Sequence, residues 1–246
     1  ASYETPNNLT TGTGWETDDF ASGLIPISKK WGYAIADLYE SDAINQCKSI
    51  WNDYHIMTHN EWMTLARNIE LQPSNWSTQI VWSGYVYNGL SNETNMGCIS
   101  NTDSSLAETT GYECSVKRAD GKSKNLLKLS NGEEIYDLAG NVWEMINKAN
   151  TIDWGYYAAI MNPNPCSLTY WSYEWKDCNW EFRQRYSPWL PWWTAWNWIG
   201  FVRTFAGSTF WRGWSAMEWW RSGIFTIHLG HPFNHKWPEA WFRCVY

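Results

Sequence analysis

Apolar residues recur at helical spacing in two early stretches of this chain and give way to short alternating runs towards its end. Ile44, Cys47 and Trp51 follow Ser41, a good N-cap, and predict a first helix over 42–50 with Cys47 on its buried face. Thr58 and Glu61 have the spacing of a capping box, and Trp62, Leu65, Ala66 and Ile69 form one apolar stripe, which predicts a second helix. From Gln72 to about Lys124 polar residues prevail without periodicity, as expected of a long folded-back loop held by a disulfide. The runs 127–129 and 135–138 flank Ser130-Asn131-Gly132-Glu133, a hairpin signal. Two further strands are expected at Ile224–Leu229 and Trp241–Tyr246. Two early helices, a loop-rich middle and a late antiparallel sheet predict one α+β domain over 20–246, preceded by a polar arm over 1–19. No internal repeat or domain boundary interrupts it.

Charge narrows the function. The 246 residues carry a net charge of −7 at a pI near 5.2 and a mean hydropathy of −0.51. There is no polybasic tract for phosphate and no apolar run of the roughly 20 residues a membrane span needs. Nucleic acid is therefore not an expected partner. The chain opens on Ala1 with no charged-then-apolar leader, so a signal or anchor is expected to have been removed, and membrane attachment would need an anchor outside this chain. The 22 tryptophans are the most unusual feature, each able to bury roughly 200 Å². In pairs such as Trp192-Trp193 and Trp219-Trp220, neighbours on an extended chain point to opposite faces, so one of each pair is expected to meet solvent or a partner.

Six cysteines, Cys47, Cys98, Cys114, Cys166, Cys178 and Cys244, are spread without metal-finger spacing and fit disulfides of an oxidising compartment better than zinc. Fifteen connectivities are open to them. Cys98 with Cys114 and Cys166 with Cys178 would each close a short polar loop, which would leave Cys47 and Cys244 to join the ends of the domain; reduced thiols are the alternative. Other chemistries lack their residues. No G-x-S-x-G elbow or phosphate-cradling loop occurs, and Ala206-Gly207-Ser208-Thr209 lacks the glycine frame. His228, His231 and His235 have spacings that do not put three imidazoles on one face of a strand. Trp51-Asn52-Asp53 has the letters of a sugar-lectin calcium motif but none of its companions. Lys117, Arg118, Lys122, Lys124 and Lys128 read as a solvated hairpin face, and Asn8, Asn75 and Asn92 head glycosylation sequons.

One segment is more specific. Asp137-Leu138-Ala139-Gly140-Asn141-Val142-Trp143-Glu144-Met145 resembles the D-[LM]-x-G-N-V-W-E-W signature of the formylglycine-generating enzyme family, a branch of the C-type lectin fold. The stretch 56–67 resembles that family's L-P-T-E-x-E-W-E-Y-A-A-R helix, and 241–245 resembles its terminal G-F-R-C, in the family's order. Within the family the wording is most similar to the variable proteins of diversity-generating retroelements, through Arg212-Gly213-Trp214-Ser215-Ala216 and 222–229. A tryptophan codon is not reached from an asparagine codon by changing adenines alone, so this resemblance leaves the high tryptophan content unexplained.

The resemblance implies a rigid lectin-type frame bearing a variable segment over about 205–241. Trp214, Ala216, Glu218, Trp219, Trp220, Arg221, His228, His231, Phe233, His235, Lys236, Trp237 and Glu239 would then contact ligand, while Gly223, Ile224, Phe225, Phe242 and Cys244 would be frame. It also implies a Cys47–Cys244 bridge and a structural calcium held by Asp137, the carbonyls of Gly140 and Val142, and Glu144, a set of hard oxygens. The family's enzymes hold copper with late cysteines, and none lies between Cys178 and Cys244, so a non-enzymatic protein without catalytic cofactor is expected. The expected partner is a protein or glycan on another cell or virus, met outside the cell or at its surface. The alternatives are an oxidase or hydroxylase of the formylglycine-generating type and a carbohydrate-binding module using tryptophan platforms.

Overall fold

The computed structural model describes residues 6–7, 33–34, 38–89, 117–140, 142–147, 202–204, 211–213, 223–229 and 240–246. From the polar opening segment, β1 (Pro6–Asn7) pairs antiparallel with β2 (Tyr33–Ala34), which lies beyond that segment. Helix α1 (Glu40–Ile50) starts earlier than Ser41 suggests. Tyr39 is extended at the N-cap, the Asp42 carboxylate accepts its backbone N–H at 3.4 Å, and Glu40 and Asp42 complement the positive end of the helix dipole. Ala43 and Cys47 are its buried positions.

After β3 (His55–Ile56) comes α2 (His59–Glu70). Its capping box forms as the spacing predicts, with the Glu61 N–H donating to Thr58 Oγ1 at 3.3 Å and the Thr58 N–H donating to Glu61 Oε2 at 2.8 Å. Trp62, Ala66 and Ile69 are wholly buried, and the Trp62 indole N–H donates to the carbonyl of Ile224 at 2.7 Å. The expected long loop has internal order at its start. A short 3-10 turn (Pro73–Asn75) leads into an antiparallel bridge between Trp76 and Val86, and buried Trp76 donates its indole N–H to the Glu70 carbonyl at 2.7 Å.

The predicted hairpin is β4 (Leu126–Lys128) with β5 (Glu134–Tyr136), in the register Leu126 to Tyr136, Leu127 to Ile135 and Lys128 to Glu134. Gly132 closes its turn at φ 87°, a left-handed conformation that favours glycine. The basic stretch beside it is corrected in part. Lys117, Lys122 and Lys128 are exposed, but Arg118 and Lys124 are buried, each at 5%. Arg118 is there because its guanidinium caps carbonyls, donating to Leu126 and Ser74 at 2.6 Å each, and meets Asp120 at 2.7 Å.

The remaining strands are β6 (Trp143–Met145), β7 (Val202–Thr204), β8 (Trp211–Gly213), β9 (Gly223–Leu229), β10 (Ala240–Phe242) and β11 (Cys244–Val245). Five of them form one sheet in the order β10-β6-β8-β9-β7. It is mixed and not purely antiparallel: β10 runs parallel to β6 and β7 parallel to β9, while β6, β8 and β9 alternate in direction. The final strand expected over 241–246 breaks at Arg243, where the chain leaves this sheet and pairs β11 antiparallel with β3. The class is α+β.

Two hydrophobic clusters result. One joins α2, the hairpin and Ile224, Phe225 and Ile227 of β9. The other joins Ala43 and Cys47 of α1 to Ile56, Trp143, Met145, Trp211, Ala240 and Phe242. Cys47 and Cys244 are disulfide-bonded across a sequence separation of 197. Cys98, Cys114, Cys166 and Cys178 lie outside the described residues.

Reducing the Cys47–Cys244 bridge, or replacing both cysteines by serine, should lower stability by about 5 kcal/mol through the entropy of so long an opened loop, measured by denaturant melts with and without reductant. At α2, burial pushes the Glu61 carboxyl up, but the Thr58 N–H and hydroxyl and His55 outweigh it and hold it below its ordinary value of 4.5. Such a group contributes stability above its unfolded pKa and loses it as pH falls through the folded one. Thr58→Ala should therefore cost about 1 kcal/mol at neutral pH. The gap to the parent protein should narrow as pH drops below 4.5, in melts repeated across pH.

Candidate functional site

Alternation along β6 sends Trp143 and Met145 into the α1 cluster and turns Glu144 the other way. Its carboxylate is 1% exposed and meets Arg243, which the break between β10 and β11 directs inward. Arg243 Nε lies 2.7 Å from Glu144 Oε1 and 2.9 Å from Oε2, and Nη2 lies 2.7 Å from Oε1. Nη2 also donates to the carbonyls of Tyr136 at 2.9 Å and Asp137 at 3.0 Å. Burial pushes the Glu144 carboxyl above its ordinary range and Asp137 adds to this, while the Arg243 charge and hydrogen bonds pull it back.

The calcium set implied by the resemblance does not fit this arrangement. Both Glu144 oxygens face a guanidinium, the Gly140 carbonyl accepts the Val142 N–H at 2.9 Å, and Asp137 Oδ1 accepts from Asn125 Nδ2 at 3.0 Å. Asp137 itself is held at φ 53° by this packing. Among the described residues, no group of three or more His, Cys, Asp or Glu side chains is gathered as a metal would need, and no helix is long and apolar enough to cross a membrane.

A second buried contact ties α2 to the sheet. Arg212 Nη2 lies 2.8 Å from His59 Nδ1, and Nη1 donates to the Phe225 carbonyl at 3.3 Å. An arginine can only donate, so Nδ1 of His59 is the acceptor and carries no proton. Next to Arg212, Gly213 sits at a bulge with φ 85°, and a Cβ there would lie 2.9 Å from the Leu138 carbonyl. Its own carbonyl accepts the Gly140 N–H at 3.1 Å, joining β8 to the turn before β6.

Of the residues expected to contact ligand, His228 alone is described, and the expectation for it is corrected. At 1% exposure its ring stacks on Trp211 at 5.5 Å and lies 4.9 Å from Trp143, so it belongs to the core and not to an exposed face. It points inward because the register sets it opposite Trp211 in β8. Trp214, Ala216, Glu218, Trp219, Trp220, Arg221, His231, Phe233, His235, Lys236, Trp237 and Glu239 lie outside the described residues. They fall in 214–222, between β8 and β9, and 230–239, between β9 and β10. The strand directions set the end of β8 and the starts of β9 and β10 at the same edge of the sheet. The expected frame residues Gly223, Ile224, Phe225 and Phe242 are buried, and Cys244 is bonded to Cys47.

The pairing of Arg243 with Glu144 and of Arg212 with His59 was not foreseen. An arginine inside the apolar run Trp241-Phe242-Arg243-Cys244-Val245 does signal a buried partner, because a charge in such a strand must be paired. No family model matches this sequence, and no curated protein matches it either.

Among the sequons, Asn75 is wholly buried: its amide donates to the carbonyls of Ile69 at 3.1 Å and Lys128 at 2.8 Å and accepts the Lys128 N–H at 2.8 Å. Asn8 and Asn92 lie outside the described residues. Protein secreted from a glycosylating cell should therefore carry no glycan at Asn75, as read by peptide mass spectrometry. Asn75→Ala should destabilise by about 1–3 kcal/mol through unpaired backbone groups.

Proposed function

We propose that this chain is a non-enzymatic binding protein of the variable type found in diversity-generating retroelements, built on a C-type lectin fold of the formylglycine-generating subtype. It is displayed outside the cell or at its surface and meets a protein or glycan target through the connections 214–222 and 230–239. The observation that carries the reading is the burial of the strands that bracket these connections. Trp211, Arg212, Ile224, Phe225, Ala240 and Trp241 are each at most 2% exposed, so the frame is fixed while the candidate contact residues fall between its strands. Aromatic, arginine and mixed-charge residues in those connections suit a hot-spot surface at modest entropic cost. The burial of Trp62, Trp143, Arg212, Ile224 and Arg243, one from each block of the resemblance, is consistent with the same reading.

The deciding experiment is to sequence the DNA around the gene. A near-copy of the region encoding 205–246, differing where the copy has adenine and lying beside a reverse transcriptase, is the expected result, with differences concentrated in 214–222 and 230–239. A gene with no such copy would overturn the reading. Trp51, 70% exposed beside Asn52 and Asp53, is the observation that favours a carbohydrate module instead. That reading predicts weak binding of simple glycans that Trp51→Ala abolishes.

A further inference from the structure

We propose that the guanidinium of Arg243 is the resident cation of the 136–144 turn and replaces a divalent ion there, so that this protein assembles and keeps its frame without calcium. Four oxygens converge on one group: both of Glu144, at 2.7 and 2.9 Å from Nε, and the carbonyls of Tyr136 and Asp137, at 2.9 and 3.0 Å from Nη2. A bidentate carboxylate with two main-chain carbonyls is a hard-oxygen set of the kind calcium takes. Here it is filled by a planar fork of N–H donors, which matches a carboxylate edge and two further acceptors at once.

Three features make the guanidinium a permanent occupant. Its side chain is 2% exposed and that of Glu144 1%, so neither is screened by water. Glu144 and Arg243 neutralise each other with the buried Asp137 carboxylate nearby, and a calcium ion added beside Arg243 would set two positive charges against that guanidinium in a dry interior. Arg243 is also covalently delivered, between Phe242 in β10 and Cys244, which is tied to Cys47 of α1, so its local concentration is set by the fold and no chelator can remove it. The proposal holds whatever 205–241 binds.

The test is the melting temperature of the whole chain in chelator and in millimolar calcium. The native protein should melt at the same temperature in both. Arg243→Ala should melt well below it and should recover part of the loss as calcium is added, saturably, because the emptied oxygen cage then accepts a metal. Arg243→Ala combined with Glu144→Gln should show no such recovery. Arg243→Lys keeps the charge on a single point donor, and should fold with a smaller loss and little calcium response if the alanine variant does not fold. A native protein whose melting falls in chelator or rises saturably with calcium would overturn the proposal, and so would a folded Arg243→Ala that ignores calcium.

Discussion

The buried contact between Glu144 and Arg243 decides where the end of the chain can go. Two charges taken out of water cost several kcal/mol each, and their attraction offsets that only when the geometry is close and the leftover donors are satisfied. Arg243 satisfies its second nitrogen on the carbonyls of Tyr136 and Asp137, so the carboxylate fixes the guanidinium and the guanidinium fixes the preceding turn. To reach Glu144, the chain gives up strand geometry at Arg243. Phe242 stays on β6 while Cys244 joins β3, and the Arg243 carbonyl accepts the Met57 N–H at 3.0 Å. The bridge to Cys47 sits one residue beyond the ion pair, so α1 is locked to the same junction. Removing one partner would leave a bare buried charge, a loss of about 3–5 kcal/mol, at the point where both hydrophobic clusters meet the end of the chain.

Much of this was legible where the determinant is local. The capping box of α2, the hairpin around Gly132 and strand β9 each follow from residues within a few positions of one another, and each forms where it was expected. The start of α1 was misread because Asp42 reaches back to Tyr39, a side-chain choice that competes with Ser41 as cap. The burial of Arg118 has a non-local cause. Arg118 is buried by the carbonyl of Ser74, 44 residues away, and nothing in its own neighbourhood announces that partner. The mixed sheet has the same origin, since alternation reveals a strand but not its neighbours.

The candidate site divides in the same way. The 137–145 segment announces a tight turn rich in oxygen, and the resemblance supplies calcium for it. Which cation the turn holds depends on a residue 99 positions on, whose guanidinium only the fold delivers. His228 shows the reverse error. A histidine in a late strand looks like a contact residue until the register sets it against Trp211, where its ring stacks on that indole and completes a three-ring cluster with Trp143.

The tryptophans sharpen where frame ends and connection begins. Trp62, Trp76, Trp143, Trp211 and Trp241 are buried, and the first two anchor their indole N–H groups on backbone carbonyls, so in the described core this residue is structural. Substitution there would open cavities worth about 3–5 kcal/mol each. The expected variable block of 205–241 therefore cannot vary throughout, because it contains Trp211, Arg212, Ile224, Phe225, Ile227 and Ala240, all of them core. Gly213 marks one border on physical grounds, since φ 85° and the Leu138 carbonyl at 2.9 Å from any added Cβ exclude other residues. Of the described residues in that block, 211–213, 223–228 and 240–241 are all buried, so packing withholds these positions from an exposed contact surface. Under the proposed reading, variation within the block is therefore kept out of these strands by packing, because each substitution there would open a cavity or strand a buried polar group.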